Sequence, residues 1–423
     1  MKIRSLLLGS VAVAGLSTAG YAADLGVVTS LDVCDQLGLS GLTISSDDNC
    51  LVITGGVSFE YDWGDYRTTP LLQSTTYARD GNKITYNAPG GGLDSNVNVN
   101  AWLSFVATAD SDFGPAKATI KLLTNNTADS VAPATKNAIG GLKVSQAFVQ
   151  IGDTTQLIAG FRNGSIFNSG DDVPLNYLGL FNSSDVNTGV WFSKAGTNAT
   201  GGDVIQVVSN LGNGISVGAG AENLFGSVNG VGLATNPTLV GVIAYAGDGV
   251  TAHLSTDYGT GTGLWNVHAG FTGAWDPIKV VGAVAADSTG WWNALGSVSA
   301  TFDMFTLAAS GEATSAGEWG VGGSASATVS DGVTINLGGR YFKGVAPGYA
   351  QQVEAGISAA VTDTITLTAA AGAESGDALP GGFIYGKAGV AWAPGGGFTA
   401  SSSAMVSSTG AYELTFKAAK TIK

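Results

Sequence analysis

His253 and His268 are the only imidazoles in the chain, so a metal centre or hydrolytic triad would have to be built on one of them. Neither has a nearby Cys, and neither lies in an H-E-x-x-H pattern, which sets two zinc ligands one helical turn apart. Serines are plentiful, but none sits in a Gly-x-Ser-x-Gly elbow between a strand and a helix. No aspartate-rich calcium nonapeptide repeats occur. The remaining reactive side chains are Cys34 and Cys50. In an oxidising compartment they pair as a disulfide, the alternative being two free thiols. This inventory points away from an enzyme and calls for no cofactor or metal. What remains to do work is fixed charge, and the question becomes which elements position it.

The amino-terminal residues read as an export signal. Lys2 and Arg4 precede the apolar run Leu6 to Leu16, and Gly20-Tyr21-Ala22 is the expected cleavage site, so residues 1–22 are set aside. The run is shorter than the roughly 20 apolar residues of a spanning helix, and no later stretch reads as one. Charged residues make up only 12% of the chain, against about 25% in globular proteins. An outer surface that needs no charge is an outer surface in lipid. Without spanning helices, a closed barrel is the one remaining way to satisfy the backbone there. Removing Lys2 and Arg4 lowers the basic count from 18 to 16 against 32 acids, a net charge of −16. That argues against nucleic acid as a partner and fits loops and a lumen that attract cations.

Period-two alternation supplies the strands. Val57, Phe59, Tyr61 and Trp63 alternate with Ser58, Glu60 and Asp62, and Asn96, Asn98 and Asn100 with Val97, Val99 and Ala101. Nine tight turns are expected, at Asp112-Phe113-Gly114-Pro115, Asp153-Thr154-Thr155, Leu211-Gly212-Asn213-Gly214, Gly247-Asp248-Gly249, Trp275-Asp276-Pro277, Asp303-Met304, Ser330-Asp331-Gly332, Thr362-Asp363 and Pro394-Gly395-Gly396-Gly397. With a first strand near 51–63 and a last near 411–418, this gives 20 antiparallel strands, an even number as single-chain bacterial barrels have. Longer links fall at 64–93, 125–142 and 163–202. The architecture expected is all-β: a transmembrane barrel over 51–418 with short periplasmic turns and long outer loops, preceded by a periplasmic or lumenal segment 23–50.

If the apolar parity faces lipid, the other parity names the lumen: Glu60 and Asp62, Lys117, Thr119 and Lys121, Arg162, then His253, Asp257, His268, Glu312, Arg340, Glu354 and Lys387. Most of the nine tryptophans are expected in interfacial girdles, with Trp102 on the lumen parity instead.

Val33-Cys34-Asp35-Gln36-Leu37-Gly38, followed by Asn49-Cys50-Leu51-Val52-Ile53-Thr54-Gly55-Gly56-Val57, resembles the amino terminus of alphaproteobacterial porins. Those begin with Cys-Asp-x-x-Gly and enter the first strand through Cys-Leu-x-Ile-x-Gly. The resemblance implies a trimeric general-diffusion porin whose third outer loop folds inward and narrows the pore. It also implies 16 strands, so the strand number stands between 16 and 20. Family members tend to end on Phe after an alternating strand. Here Phe416 takes that place, and residues 419–423 are expected as a periplasmic tail.

On this reading the third long loop carries Asp171, Asp172 and Asp185 against Lys117, Lys121 and Arg162 on the wall, a transverse field at a constriction. Glu60, Asp62, Arg340, Glu354 and Lys387 line the pore. The partners expected are outer-membrane lipids, two further copies of the chain, and small hydrophilic solutes and ions. Two alternatives stay open: a substrate-specific channel, for example for sugars, and a secreted β-solenoid or adhesin.

Overall fold

The computed structural model describes residues 33–66, 74–76, 83–85, 93–129, 141–168, 173–181, 201–224, 236–344, 348–377 and 379–422. The expected export signal lies outside them. Within the sheet, twenty long strands form a ring: β1 (Cys50–Asp65), β2 (Asp94–Ala109), β3 (Ala116–Asp129), β4 (Lys143–Ile151), β5 (Thr155–Asn163), β6 (Gly201–Gly212), β7 (Ile215–Glu222), β8 (Thr238–Gly247), β9 (Val250–Gly259), β10 (Trp265–Trp275), β11 (Ile278–Asp287), β12 (Trp292–Phe302), β13 (Phe305–Thr314), β14 (Trp319–Ser330), β15 (Val333–Lys343), β16 (Tyr349–Thr362), β17 (Ile365–Gly376), β18 (Leu379–Gly395), β19 (Phe398–Ser407) and β20 (Tyr412–Ile422). Each pairs antiparallel with its sequence neighbours, and β20 pairs back onto β1, so the sheet closes without an edge. The strand count of 20 holds.

All nine expected turns separate neighbouring strands at one end of the barrel. Two of them show why those residues stand there. Asn213 (φ 50°) with Gly214 (φ 79°), and Asp248 (φ 49°) with Gly249 (φ 77°), place two successive residues in the left-handed region. That is the two-residue turn whose twist matches the flanking strands, and Asn, Asp and Gly tolerate it best. At the other end, connections over the first part of the ring are long: 66–93, 130–142, 164–200 and 223–237. Those from β9 onward are short: 260–264, 288–291, 315–318, 344–348, 377–378 and 408–411. Local polar chemistry shortens them, as at 288–291, where the Asp287 carboxylate accepts from the backbone N and the Oγ1 of Thr289 at 2.7 and 2.5 Å.

The closing seam corrects the expected carboxy-terminal tail. Rungs run from Asp65↔Tyr412 to Gly55↔Ile422, so residues 419–422 belong to the strand that closes the ring. Alternation explains it: Ala418, Lys420 and Ile422 continue the parity of Leu414 and Phe416 beyond the aromatic residue taken as the terminus. Below Gly55, a short strand Leu42–Ser45 takes over beside β1, pairing Leu42↔Ile53 through Ser45↔Cys50. The segment ahead of the barrel therefore extends its wall. A helical turn Val33–Gln36 precedes that strand, and the Cys34–Cys50 disulfide ties the turn to β1 with Cα atoms 4.8 Å apart.

The outward parity is apolar around the ring, with Val57, Phe59, Ile120, Leu157, Ile243, Leu254, Val298, Leu307, Ile357, Leu367 and Phe416 all exposed. Such a surface is unfavourable in water and suited to acyl chains. Aromatics mark both ends of this band. Trp63 meets Tyr412 edge-on at 5.6 Å toward the long-loop end, where Trp265, Trp292 and Trp319 also stand. Trp392 meets Phe398 at 5.7 Å toward the turn end. Trp291 departs from the girdle expectation: it is buried in an apolar cluster with Leu180, Val281 and Leu295.

Candidate functional site

The third long connection leaves β5 at Asn163 and rejoins the ring at Gly201. Its described residues fold against the inner wall. Their backbone polar groups are taken up by lumen-parity side chains, as buried amides require. Ile166 N donates to Glu222 Oε1 of β7 (3.0 Å), Asn168 N to Ser255 Oγ of β9 (2.9 Å), Leu175 N to Ser297 Oγ of β12 (2.9 Å) and Tyr177 N to Ser324 Oγ of β14 (3.0 Å). Ser310 Oγ of β13 donates to Asn176 Oδ1 at 2.6 Å, and Arg340 Nη1 of β15 donates to the carbonyls of Leu178 and Leu180 at 3.0 and 3.3 Å. The segment thus follows the wall from β7 to β15, strand after strand.

Apolar side chains seat it between these bonds. Phe167 packs on Val240, Leu180 on Val281, Ala283 and Leu295, and Phe181 on Phe342 and Ala350. Small residues on the wall make room. A Cβ at Gly322 would fall 2.6 Å from Asn176 Nδ2, and one at Gly338 3.1 Å from Leu178.

Two acids hold the segment at its ends. Glu222, fully buried, accepts from Ile166 N, Gly201 N (3.0 Å) and Gln206 Nε2 (2.8 Å). One carboxylate therefore grips the outgoing and returning limbs of the connection. Glu354 of β16 accepts from Tyr177 Oη (2.8 Å), Tyr385 Oη (2.6 Å) and Lys387 Nζ (2.8 Å). Burial, with the Glu354 carboxylate as acceptor, pushes the Tyr177 hydroxyl's pKa up, so it remains a protonated donor.

The residues expected to line the pore separate into two groups. Arg340, Glu354 and Lys387 form one network: Arg340 Nε donates to Gln352 Oε1 (2.7 Å), Gln352 Nε2 to Tyr385 Oη (2.6 Å), and Tyr385 to Glu354. The Arg340 guanidinium also lies 4.0 Å from the centre of the Phe181 ring. Glu60 and Asp62 stand on the seam wall instead. Glu60 pairs with Lys417 Nζ at 3.1 Å, and Asp62 accepts from Asn96 Nδ2 (3.2 Å) and Thr415 Oγ1 (2.9 Å).

Among the residues expected at a constriction, Asp171, Asp172 and Asp185 lie outside the described residues. The three cations fall on two rows of the ladder. Lys121 is opposite Gln146, while Phe161 is opposite the adjacent Ala147, so Lys121 and Arg162 stand on one row. Lys117 is four residues nearer the turn end, about 13 Å along the strand. Lys121 Nζ sits 4.9 Å from the centre of the Trp102 ring, which agrees with Trp102 on the lumen parity. Arg162 Nη1 donates to Gln206 Oε1 at 2.7 Å, which links it to Glu222.

His253 Nε2 and His268 Nδ1 are 2.9 Å apart, in line with lumen faces on adjoining strands, and the His268 ring meets Phe167 edge-on. Among the described residues, no group of three or more His, Cys, Asp or Glu is placed to hold a metal ion. Sequence reasoning passed over Glu222, Gln206, Tyr177, Gln352, Tyr385 and the serines of the inner wall. Parity gives the facing of those on strands, but their role comes from the connection that carries Tyr177, which follows no strand periodicity.

Residues 27–413 match the family described as a porin subfamily. No curated protein matches the chain. Among solved structures, the chain is similar to an anion-selective porin from Comamonas acidovorans at 12% identity, covering 88% of this chain and all of that one, with a TM-score of 0.36. It is similar to OmpT of Vibrio cholerae at 10% identity, covering 90% and 99%, TM-score 0.36, and to a mutant of the Rh. blastica porin at 13%, covering 88% and 99%, TM-score 0.36. The family match spans nearly the whole barrel, and the closed ring of lipid-facing strands around a polar interior is the architecture that such a match requires: the chain belongs to the porin subfamily and is an integral outer-membrane β-barrel channel.

Proposed function

We propose that this barrel conducts ions and small hydrophilic solutes passively, and that its third long connection sets the narrowest part of the path. The observation that carries this reading is the run of hydrogen bonds from Ile166 to Tyr177 onto inner-wall side chains of β7 to β14. A segment fixed along one wall leaves solutes the space toward the opposite wall, formed by β17 to β20 and β1 to β3. Lys121 of β3 stands on that side, and Arg162 of β5 stands beside the root of the connection. Asp171, Asp172 and Asp185, contributed by the connection, would oppose them and set up a transverse field. The net charge of −16 without residues 1–22 biases the path toward cations. No step breaks or forms a covalent bond. The working unit is a homotrimer, as the resemblance at the amino terminus implies.

The test is single-channel recording in planar bilayers with purified protein. Stepwise ohmic conductance with a reversal potential on the cation-selective side is expected. An anion-selective reversal potential would overturn the charge assignment, and absence of conductance would overturn the channel reading.

A further inference from the structure

One row of the barrel ladder crosses the seam with an unusual composition. Thr366 pairs with Ala391, Ala391 with Ser401, Ser401 with Lys417, Lys417 with Glu60, and Glu60 with Asn98. All six positions have lumen parity. The next row toward the turns places Asn100 opposite Ser58. These residues line a cavity of about 460 Å³, within the range of about 300–1,000 Å³ usual for small-molecule sites. Its lining comes from β1, β2, β17 to β20 and the turn at Asp363-Thr364, on the side of the lumen opposite the wall that holds the third connection.

The chemistry of this strip is selective. Amides and hydroxyls supply donors and acceptors in both senses. The one ion pair, Lys417 with Glu60, is internally neutralised at 3.1 Å, yet both side chains keep solvent access at 54% and 35% exposure. Asp363, at the turn end of the lining, leaves the strip with one net negative charge, which disfavours anionic solutes there. A solute carrying several hydroxyls meets a surface that can exchange each of its hydrogen bonds to water for one to the wall. We propose that this strip is a weak binding site for neutral polyhydroxylated solutes, of oligosaccharide type, on the path through the pore. This rests on the channel reading above and adds a solute class to it.

The experiment uses the full chain in planar bilayers, with maltotriose as probe and polyethylene glycol of matched hydrodynamic size as control. Maltotriose is expected to reduce the KCl current saturably and to add current noise. The polymer should lower the current only in step with bulk conductivity. Combining Asn98→Ala with Asn100→Ala should raise the half-saturating concentration about tenfold, since two hydrogen-bonding side chains are removed. Ser401→Ala, across the strip, should raise it about threefold or more by the same reasoning. Each variant is scored against its own current in KCl, which also shows that it has folded. Non-saturating behaviour identical to the polymer overturns the proposal, as does an unchanged half-saturation in both variants. Saturation by a small zwitterion such as β-alanine, but not by maltotriose, overturns the solute class. A preparation without KCl current fails the channel reading before any sugar is added, so the two failures are distinct.

Discussion

Tyr177 and Glu354 are joined by a 2.8 Å hydrogen bond between residues 177 positions apart, one on the inward connection and one on β16 of the wall. The phenol donates to a carboxylate that also receives Tyr385 and Lys387, so the far part of the connection is moored to a charged, fully engaged acceptor. Charge-assisted bonds of this kind contribute about 1.5–3 kcal/mol. Tyr177→Phe should remove one of them and leave the rest of the network in place. The expected result is an intact barrel with more frequent sub-millisecond current fluctuations. Glu354→Gln should produce a larger effect, because all three donors lose a charged acceptor. Open-channel noise spectra of the two variants check the order.

Glu222 holds both limbs of the same connection at its root. Glu222→Ala would leave Ile166 N, Gly201 N and Gln206 Nε2 without their acceptor inside the barrel, about 1–3 kcal/mol for each group that stays buried and unsatisfied. We expect the variant to insert and conduct with unstable current levels, and Glu222→Gln to lie between it and the parent. Limited proteolysis should cut Glu222→Ala within residues 164–200 faster than the parent.

Ion selectivity gives opposite signs for the two sides of the proposed field. Asp171→Asn with Asp172→Asn should move the reversal potential toward zero in a KCl gradient. Lys121→Gln with Arg162→Gln should move it further to the cation side. Both shifts should shrink as salt rises, because the screening length falls from about 10 Å at 0.1 M to about 3 Å at 1 M. Equal shifts in one direction would contradict the opposed arrangement.

The seam makes a prediction about assembly. Truncation after Ala418 deletes the rungs Ser58↔Ala419, Val57↔Lys420, Gly56↔Thr421 and Gly55↔Ile422. The truncated chain should lose the heat-modifiable, folded band in gel electrophoresis, whereas a dispensable tail would leave that band unchanged. Reducing the disulfide should act more gently. It closes a loop with a sequence separation of 16, worth about 3 kcal/mol in the chain-entropy model, so a lower unfolding temperature with retained conductance is expected.

The ring itself was legible in the sequence because two independent signals agree there. Side-chain parity marks each strand, and Asn, Asp and Gly clusters such as Asn213-Gly214 mark each turn. Parity also placed Glu60, Arg340 and Glu354 on the inner face. It did not show that Arg340 serves the connection, donating to Leu178 and Leu180 rather than to open water. That role depends on where residues 173–181 travel, and those residues carry no periodicity that registers them on a strand. Trp291 departs from the girdle for a related reason: it shares a buried cluster with wall residues and with Leu180, which arrives from the same connection. The carboxy-terminal residues were cut short because Phe416 resembled a terminal aromatic, although the alternation runs on to Ile422.

The most direct measurement is single-channel conductance after replacing residues 166–181 with a short Gly-Ser link. If this connection narrows the pore, conductance should rise severalfold and larger neutral polymers should enter the channel. Conductance and polymer cut-off equal to those of the parent would contradict it.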